Sequence, residues 1–278
     1  MIVDAQVHLW KPEAPDRPWP SWGHAVCHMP EPLTYEKMLR QMDDADVDRA
    51  VIVPPSWEGD RNDYAIEAAQ KHPDRFAVMG RIALDDPRSK QLLPRWKDTR
   101  GMLGIRVTLS YGKESWISDG TIDWFWPAAE AAGVPVMVHP PEFIPAIAKV
   151  AERHPRLKLI IDHFGLSRRI ARERRVAEAM AQTATLARFP NVYVKTSSSV
   201  TYSHDPYPFR DMYPHIRKIV EEFGPHRCFW GADLSICFGK IPYRQHVTHF
   251  TQELDFLSAD DKKLTMGESI LACLGWQS

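Results

Sequence analysis

The sequence has little cysteine: Cys27, Cys228, Cys237 and Cys273 are its only four, and no two of them form a Cys-x-x-Cys pair. They are too sparse for a disulfide scaffold in a chain of 278 residues, so they read as reduced thiols, which predicts a cytoplasmic protein. An excess of either charge is missing as well. Lys and Arg number 35 against 36 Asp and Glu, a formal net charge of -1. The electrostatic footprint of a nucleic-acid or anionic-membrane binder is therefore absent. No apolar run approaches the roughly 18 residues that a membrane span needs. The opening Met1-Ile2-Val3-Asp4-Ala5-Gln6-Val7-His8 puts an acid and a histidine where an export signal would start basic and turn apolar. Three motifs are also lacking: a Gly-x-Ser-x-Gly elbow, a dinucleotide fingerprint and a phosphate-binding Gly-Lys-Ser/Thr loop. Serine-hydrolase, NAD and NTP chemistry thus have no positive support. The remaining default is a soluble protein that acts on a small molecule, with a homo-oligomer left open.

What is present is a regular alternation. Short β-rich runs at Ile2–Leu9, Arg49–Pro54, Phe76–Ala83, Met102–Leu109, Pro135–His139, Leu157–His163, Val192–Thr196 and Cys228–Asp233 are separated by helix-compatible stretches. The latter are Tyr35–Ala45, Asp63–Lys71, Ser89–Trp96, Ile122–Ala132, Pro145–Arg153, Arg172–Arg188, Pro214–Phe223 and Arg244–Leu257. With 44% apolar residues and no compositional break, the whole of 1–278 reads as a single α/β domain. Eight strand–helix units predict a (β/α)8 TIM barrel. An open doubly wound sheet would more often carry a glycine-rich loop after its first strand, where this chain has His8-Leu9-Trp10-Lys11-Pro12. Runs such as Val51-Ile52-Val53 and Leu159-Ile160-Ile161 suit parallel strands covered on both faces. The Trp- and Pro-rich stretch at about 10–33 is too long for a routine connection and is predicted to be a lid. A second irregular stretch, Ser197–Pro208, follows the seventh strand.

Polar residues recur at the carboxyl ends of these strands: Gln6 and His8, then Arg106, His139, His163, Lys195 and Asp233. A lone histidine in an apolar strand is more often a hydrogen-bonded core residue than a ligand. Three histidines and an aspartate at equivalent ends of different strands are harder to attribute to packing, because a closed barrel brings those ends to one mouth. Alternation in the first strand predicts Asp4, Gln6 and His8 on one face. Gln6 and His8, joined by His139 and Asp233, suit a divalent metal, preferably zinc, with an open position for water. His163 beside them is placed to orient that water or carry its proton.

Taken together these residues resemble the amidohydrolase-superfamily group of sugar-lactone and pyrone-dicarboxylate lactonases and aminocarboxymuconate-semialdehyde-type decarboxylases. The resemblance runs over nearly the whole chain. It rests on Asp4-Ala5-Gln6-Val7-His8-Leu9-Trp10, Asn62-Asp63-Tyr64 with His72-Pro73-Asp74-Arg75-Phe76, Gly104-Ile105-Arg106 and Val138-His139. It continues through Asp162-His163-Phe164-Gly165, Val192-Tyr193-Val194-Lys195, Trp230-Gly231-Ala232-Asp233 and Met266-Gly267-Glu268-Ser269-Ile270. It implies that His8 and His139 are metal ligands, that Asp233 is the acid of the eighth strand, and that His163 is a catalytic histidine. Gln6 stands where the family usually has the first histidine of a His-x-His pair. A glutamine carbonyl is a weaker donor to zinc than imidazole, so metal is either held loosely or not used.

The implied activity is the opening of a lactone or similar cyclic ester that carries a carboxylate. A metal-dependent decarboxylase and a ligand-binding barrel without turnover are the alternatives. Arg106 is the candidate clamp for the substrate carboxylate, an ion pair with a neighbouring acid being its plain structural reading. Lys195 reads as structural. Trp10 and Trp57, with Trp22, are placed to line the pocket. The run His24-Ala25-Val26-Cys27-His28 is read as part of the lid rather than a metal site, and His246 and His249, three apart on a helix, as a solvated surface pair.

Overall fold

The computed structural model describes residues 1–277. Eight strands form in chain order: β1 (Val3–Val7), β2 (Arg49–Ile52), β3 (Phe76–Gly80), β4 (Met102–Thr108), β5 (Val136–His139), β6 (Leu159–Ile161), β7 (Val192–Ser197) and β8 (Cys228–Gly231). Each pairs in parallel with the next. With helices between them this is the expected TIM barrel, nearly closed. Every strand read from the sequence is present. Six of them end earlier than read, and just beyond β1, β3, β6 and β8 stand His8, Arg81, Asp162 with His163, and Asp233.

Period two decides the packing. Val51 and Val53 face the barrel interior with Val3, Ala5, Met79, Met137, Ile160 and Phe229, while Ile52 faces the surrounding helices. Both faces are buried, which is why these strands are apolar throughout. The floor of the interior is sealed by Ile270, Cys273 and Leu274 from the helix Ser269–Leu274. The outer helices follow their apolar stripes. In Tyr35–Asp44, Thr34 accepts a hydrogen bond from the Lys37 amide at the start of the helix, and Tyr35, Met38 and Met42 are buried on one face.

Three helix expectations change. Ser89–Trp96 folds as two 3-10 turns, Pro87–Gln91 and Leu93–Asp98, since Pro94 can neither donate to nor fit within an α-helix interior. Arg172–Arg188 divides into Arg168–Arg172, Val176–Ala184 and a 3-10 turn at Thr185–Arg188. Arg244–Leu257 is α-helical only over Tyr243–Thr248 and widens to a π turn at His249–Glu253. His246 and His249 are not solvated: both are buried, and their Nε2 atoms have no hydrogen-bond partner. No helix among the described residues is long and apolar enough to cross a membrane.

The first strand also departs from simple alternation. Its register with β2 shifts between Asp4 and Val7, which separates Asp4 from Gln6 and His8. The Asp4 carboxylate instead accepts hydrogen bonds from the Gln6 amide (2.9 Å), the Ala232 amide (3.0 Å) and the Tyr243 hydroxyl (2.7 Å). Together with an Asp233 amide donating to the Gln6 carbonyl at 3.1 Å, it joins β8 to β1. A Cβ on Gly231 would lie 3.1 Å from Gln6 Cβ and 3.2 Å from Asp4 Oδ1, so this joint calls for glycine.

Candidate active site

Parallel strands all end on one rim, and the polar residues gather there. His163, Phe164, Ser198 and Asp233 all have left-handed backbone, with φ of 52°, 57°, 62° and 52°. For residues other than glycine this costs on the order of 1–3 kcal/mol each and concentrates where side chains are held for function. Here it turns three polar side chains off β6, β7 and β8 toward each other.

One end of the mouth is built around Asp233. Ser198 Oγ donates to Asp233 Oδ2 at 2.7 Å. Because that hydroxyl proton is committed, the 3.0 Å contact between Ser198 Oγ and His163 Nδ1 has the imidazole N–H as donor. Ser197 Oγ lies 2.8 Å from the same nitrogen. The other carboxylate oxygen, Asp233 Oδ1, is buried without a hydrogen-bond partner and faces His8 Nε2 at 3.5 Å. His8 is oriented from behind, its Nδ1–H donating to the Val53 carbonyl at 2.7 Å, which leaves Nε2 as the lone-pair nitrogen. Burial pushes the Asp233 carboxyl up to about 6, despite the Ser198 hydrogen bond and the charge of Lys195. Burial, aided by His28 and Arg106, lowers His8 well below its usual range. His163 is also lowered well below it, chiefly by burial. Both imidazoles are neutral at pH 7.

A second charged network continues from this end. Gln6 donates its amide to His8 Nε2 at 3.1 Å and accepts from the Lys195 ammonium on its carbonyl. Lys195 is fully buried and pairs with Asp162 Oδ1 at 2.7 Å, while Arg106 Nε donates to Asp162 Oδ2 at 2.9 Å. Burial alone would raise the Asp162 carboxyl, but these two cations outweigh it and hold the group well below the carboxylate range. Arg106 Nη1 and Arg81 Nη1 both donate to Thr108 Oγ1, at 2.6 and 3.2 Å. Three buried cations thus face one firmly ionised carboxylate and one, Asp233, near its midpoint.

The loop after β1 lies across this mouth. His28 sits against Trp57 (ring centroids 4.6 Å apart) and His8 (5.5 Å), and its Nδ1 shares a hydrogen bond with Ser235 Oγ at 2.8 Å. Burial drives its imidazole down to about 3. Trp22 stacks on Tyr111 at 4.9 Å from the loop after β4. Arg17 ties the loop to Glu58 and Asp63.

The residues singled out from the sequence separate into those that meet and those that do not. His8, His163 and Asp233 converge. Gln6 lies beside His8, but its carbonyl, the atom that would reach a metal, is occupied by Lys195. His139 is turned away, donating Nε2–H to the Leu166 carbonyl at 2.9 Å and packing edge-on against His163 at 5.5 Å. Arg106 is in the mouth, but its Nε is already paired with Asp162. Trp57 touches both His8 and His28, whereas Trp10 is buried behind Trp57 in the core, 1% exposed. The group of side chains able to hold a metal among the described residues is His8, His28 and Asp233, with ligand atoms within 4.8 Å of one another.

Four participants escaped the sequence reading as site residues. Asp162 and Arg81 carried a signal, each directly following a strand as the other candidates do. Ser198 carried none, because a left-handed turn brings it in, whereas His28 was seen in the sequence but assigned to the lid alone, and the folded-back loop places it in the metal-capable group. A separate cavity of about 790 Å³, lined by Met29, Leu33, Lys37, Leu234, Phe238 and Tyr243, lies between the loop after β1 and the loop after β8 and holds none of these histidines.

Residues 3–274 match the family described as Amidohydrolase. The chain is 29% identical over 246 residues to an L-fucono-1,5-lactonase of Burkholderia ambifaria, covering 83% of this chain and 79% of that one. It is 24% identical to a 4-sulfomuconolactone hydrolase of Hydrogenophaga intermedia, covering 74% and 66%. Among solved structures, an amidohydrolase from Burkholderia multivorans with bound zinc superposes with a TM-score of 0.81 at 20% identity, over 99% of both chains.

Proposed function

The chain belongs to the amidohydrolase family, and from that premise we propose that it hydrolyses a lactone or similar cyclic ester of a carboxylated small molecule. The observation that carries the reading is the free, buried Asp233 Oδ1 at the barrel mouth, held on its other oxygen by Ser198 and backed by neutral imidazoles. Relatives named for an L-fucono-1,5-lactone and for 4-sulfomuconolactone support the same chemistry.

In this reading a water in contact with Asp233 Oδ1 attacks the lactone carbonyl, and Asp233 takes its proton. The new C–O bond gives a tetrahedral intermediate with the negative charge on the former carbonyl oxygen; as the C=O bond re-forms the ring C–O bond breaks, and the proton passes to the departing ring oxygen to give a hydroxy acid. A carboxyl raised to about 6 is well suited to accept and return a proton near neutral pH. His163 donates to Ser198 and Ser198 donates to Asp233, so this chain of hydrogen bonds holds the carboxylate in place. The cations of Arg106 and Lys195 favour the negative charge that develops on the carbonyl oxygen. The loop at about 10–33 serves as the lid, with His28 as its inward-facing residue.

The residues present fit a divalent ion at His8, His28 and Asp233: two imidazoles and a carboxylate are a zinc donor set, the carboxylate oxygen is orphaned, and His8 is oriented by a backbone carbonyl. When bound there, zinc would supply Lewis acidity and lower the pKa of water. Gln6 competes for the same His8 nitrogen, which makes the hold weak. The unpaired thiols support a cytoplasmic setting.

The test is a panel of sugar and carboxylated lactones followed by proton release, with and without chelator, on wild type and Asp233→Asn. Ring opening should fall by about 10²–10⁴-fold in the variant. Release of CO₂ without ring opening, or an Asp233→Asn enzyme at the wild-type rate, would overturn the reading.

A further inference from the structure

The cationic end of the mouth holds a donor that the chemistry above leaves unused. Arg81 follows β3 and is 6% exposed. Its backbone is clamped by Asn62, which accepts the Arg81 N–H at 2.7 Å and donates to the Arg81 carbonyl at 2.8 Å. Its Nε donates to the Pro54 carbonyl and its Nη1 to Thr108 Oγ1. Its Nη2 is buried and has no hydrogen-bond partner. Leaving a guanidinium donor unsatisfied in the interior is costly, and such an atom calls for a ligand.

The neighbouring guanidinium is in a matching state. Arg106 uses Nε on Asp162 and Nη1 on the same Thr108 oxygen. Arg106 alone therefore cannot offer both Nε and Nη1 to a substrate carboxylate. Two guanidiniums that meet on one hydroxyl also repel, and burial together with the Arg106 charge lowers Arg81 to about 9. An anion seated between them would relieve both the repulsion and the orphaned donor.

We propose that Arg81 and Arg106, spaced by Thr108, form the carboxylate subsite of this mouth, with Arg81 the residue that selects charged over neutral lactones. The proposal rests on the lactone-hydrolase reading for the substrate's ring but not for its charge. A ring substituent bearing a carboxylate would take Nη2 of Arg81 and the free side of Arg106, leaving the carbonyl toward Asp233.

The test compares a carboxylated lactone with its carboxamide counterpart, which has the same shape without the charge. Wild type should prefer the carboxylate, and in Arg81→Met the ratio of kcat/KM between the two should fall by about 10–100-fold. A ratio unchanged in Arg81→Met would overturn the proposal, even if both rates fell. Arg81→Lys, which keeps the stem and the charge but loses the planar fork, is the second variant and should lose part of the ratio. If wild type opens neither lactone, the hydrolase reading fails and the subsite is judged by binding alone. Benzoate should then raise the melting temperature of wild type and do so less for Arg81→Lys. Equal shifts, or none in wild type, would refute it.

Discussion

Replacing Lys195 by Met removes a fully buried ammonium while keeping a side chain of similar length, and its cost can be worked from the contacts. The Nζ to Asp162 Oδ1 distance of 2.7 Å corresponds to an attraction of about 6 kcal/mol at an effective dielectric near 20. Part of this is returned because the ammonium no longer has to be desolvated. What remains is Asp162, fully buried and held by Arg106 Nε alone, with Oδ1 left bare. Breaking a buried pair from one side typically costs about 3–5 kcal/mol. At roughly 2–4 °C per kcal/mol for a chain approaching this size, the melting temperature should drop by on the order of 10 °C. Urea titrations of Lys195→Met, Asp162→Asn and the double variant measure the coupling directly. The double variant should lose less than the sum of the singles, because the second change removes the charge that the first stranded. A Lys195→Met loss under about 1 kcal/mol, or strict additivity, would show that Asp162 and Lys195 do not depend on each other. Lys195→Met should also slow turnover, since Gln6 loses the donor that aims its amide at His8.

Three further outcomes are expected. His246 and His249 are buried neutral, lowered by burial to about 3 and about 4, against 6.5 when unfolded. Their contribution is therefore intact above pH 6.5 and lost as pH falls below it, about 2 kcal/mol each by pH 5. In His249→Phe, urea unfolding at pH 8 and pH 5 should differ by about 2 kcal/mol less than in wild type, and an equal difference would count against the buried-neutral state. His28→Ala, loaded with zinc and dialysed, should retain less metal than wild type, and equal retention would remove His28 from the donor set. Gly231→Ala should destabilise by about 1–3 kcal/mol through crowding against Gln6 and Asp4, as read by thermal melting.

The eight strands and their order could be read from the chain because a parallel strand buried on both faces must be apolar along its length, as Val51-Ile52-Val53 and Leu159-Ile160-Ile161 are. The rim position of His8, Arg106, His163 and Asp233 followed from the same pattern, since parallel strands deliver their carboxyl ends to one mouth. Which atoms each of those side chains meets there depends on three-dimensional contacts that no spacing encodes. The register shift in β1 sends Asp4 to the β8 joint instead of to Gln6 and His8. Lys195 arrives from β7, 189 residues away in sequence, and takes the Gln6 carbonyl. The loop after β1 folds back to bring His28 to His8, while Leu166 draws His139 off. Left-handed turns at Ser198 and Asp233 make a hydrogen-bonded pair of residues from different strands. Local pattern fixes which face of an element is buried, but the partner of a polar atom depends on which distant backbone passes within about 3 Å of it, and only the closed barrel determines that.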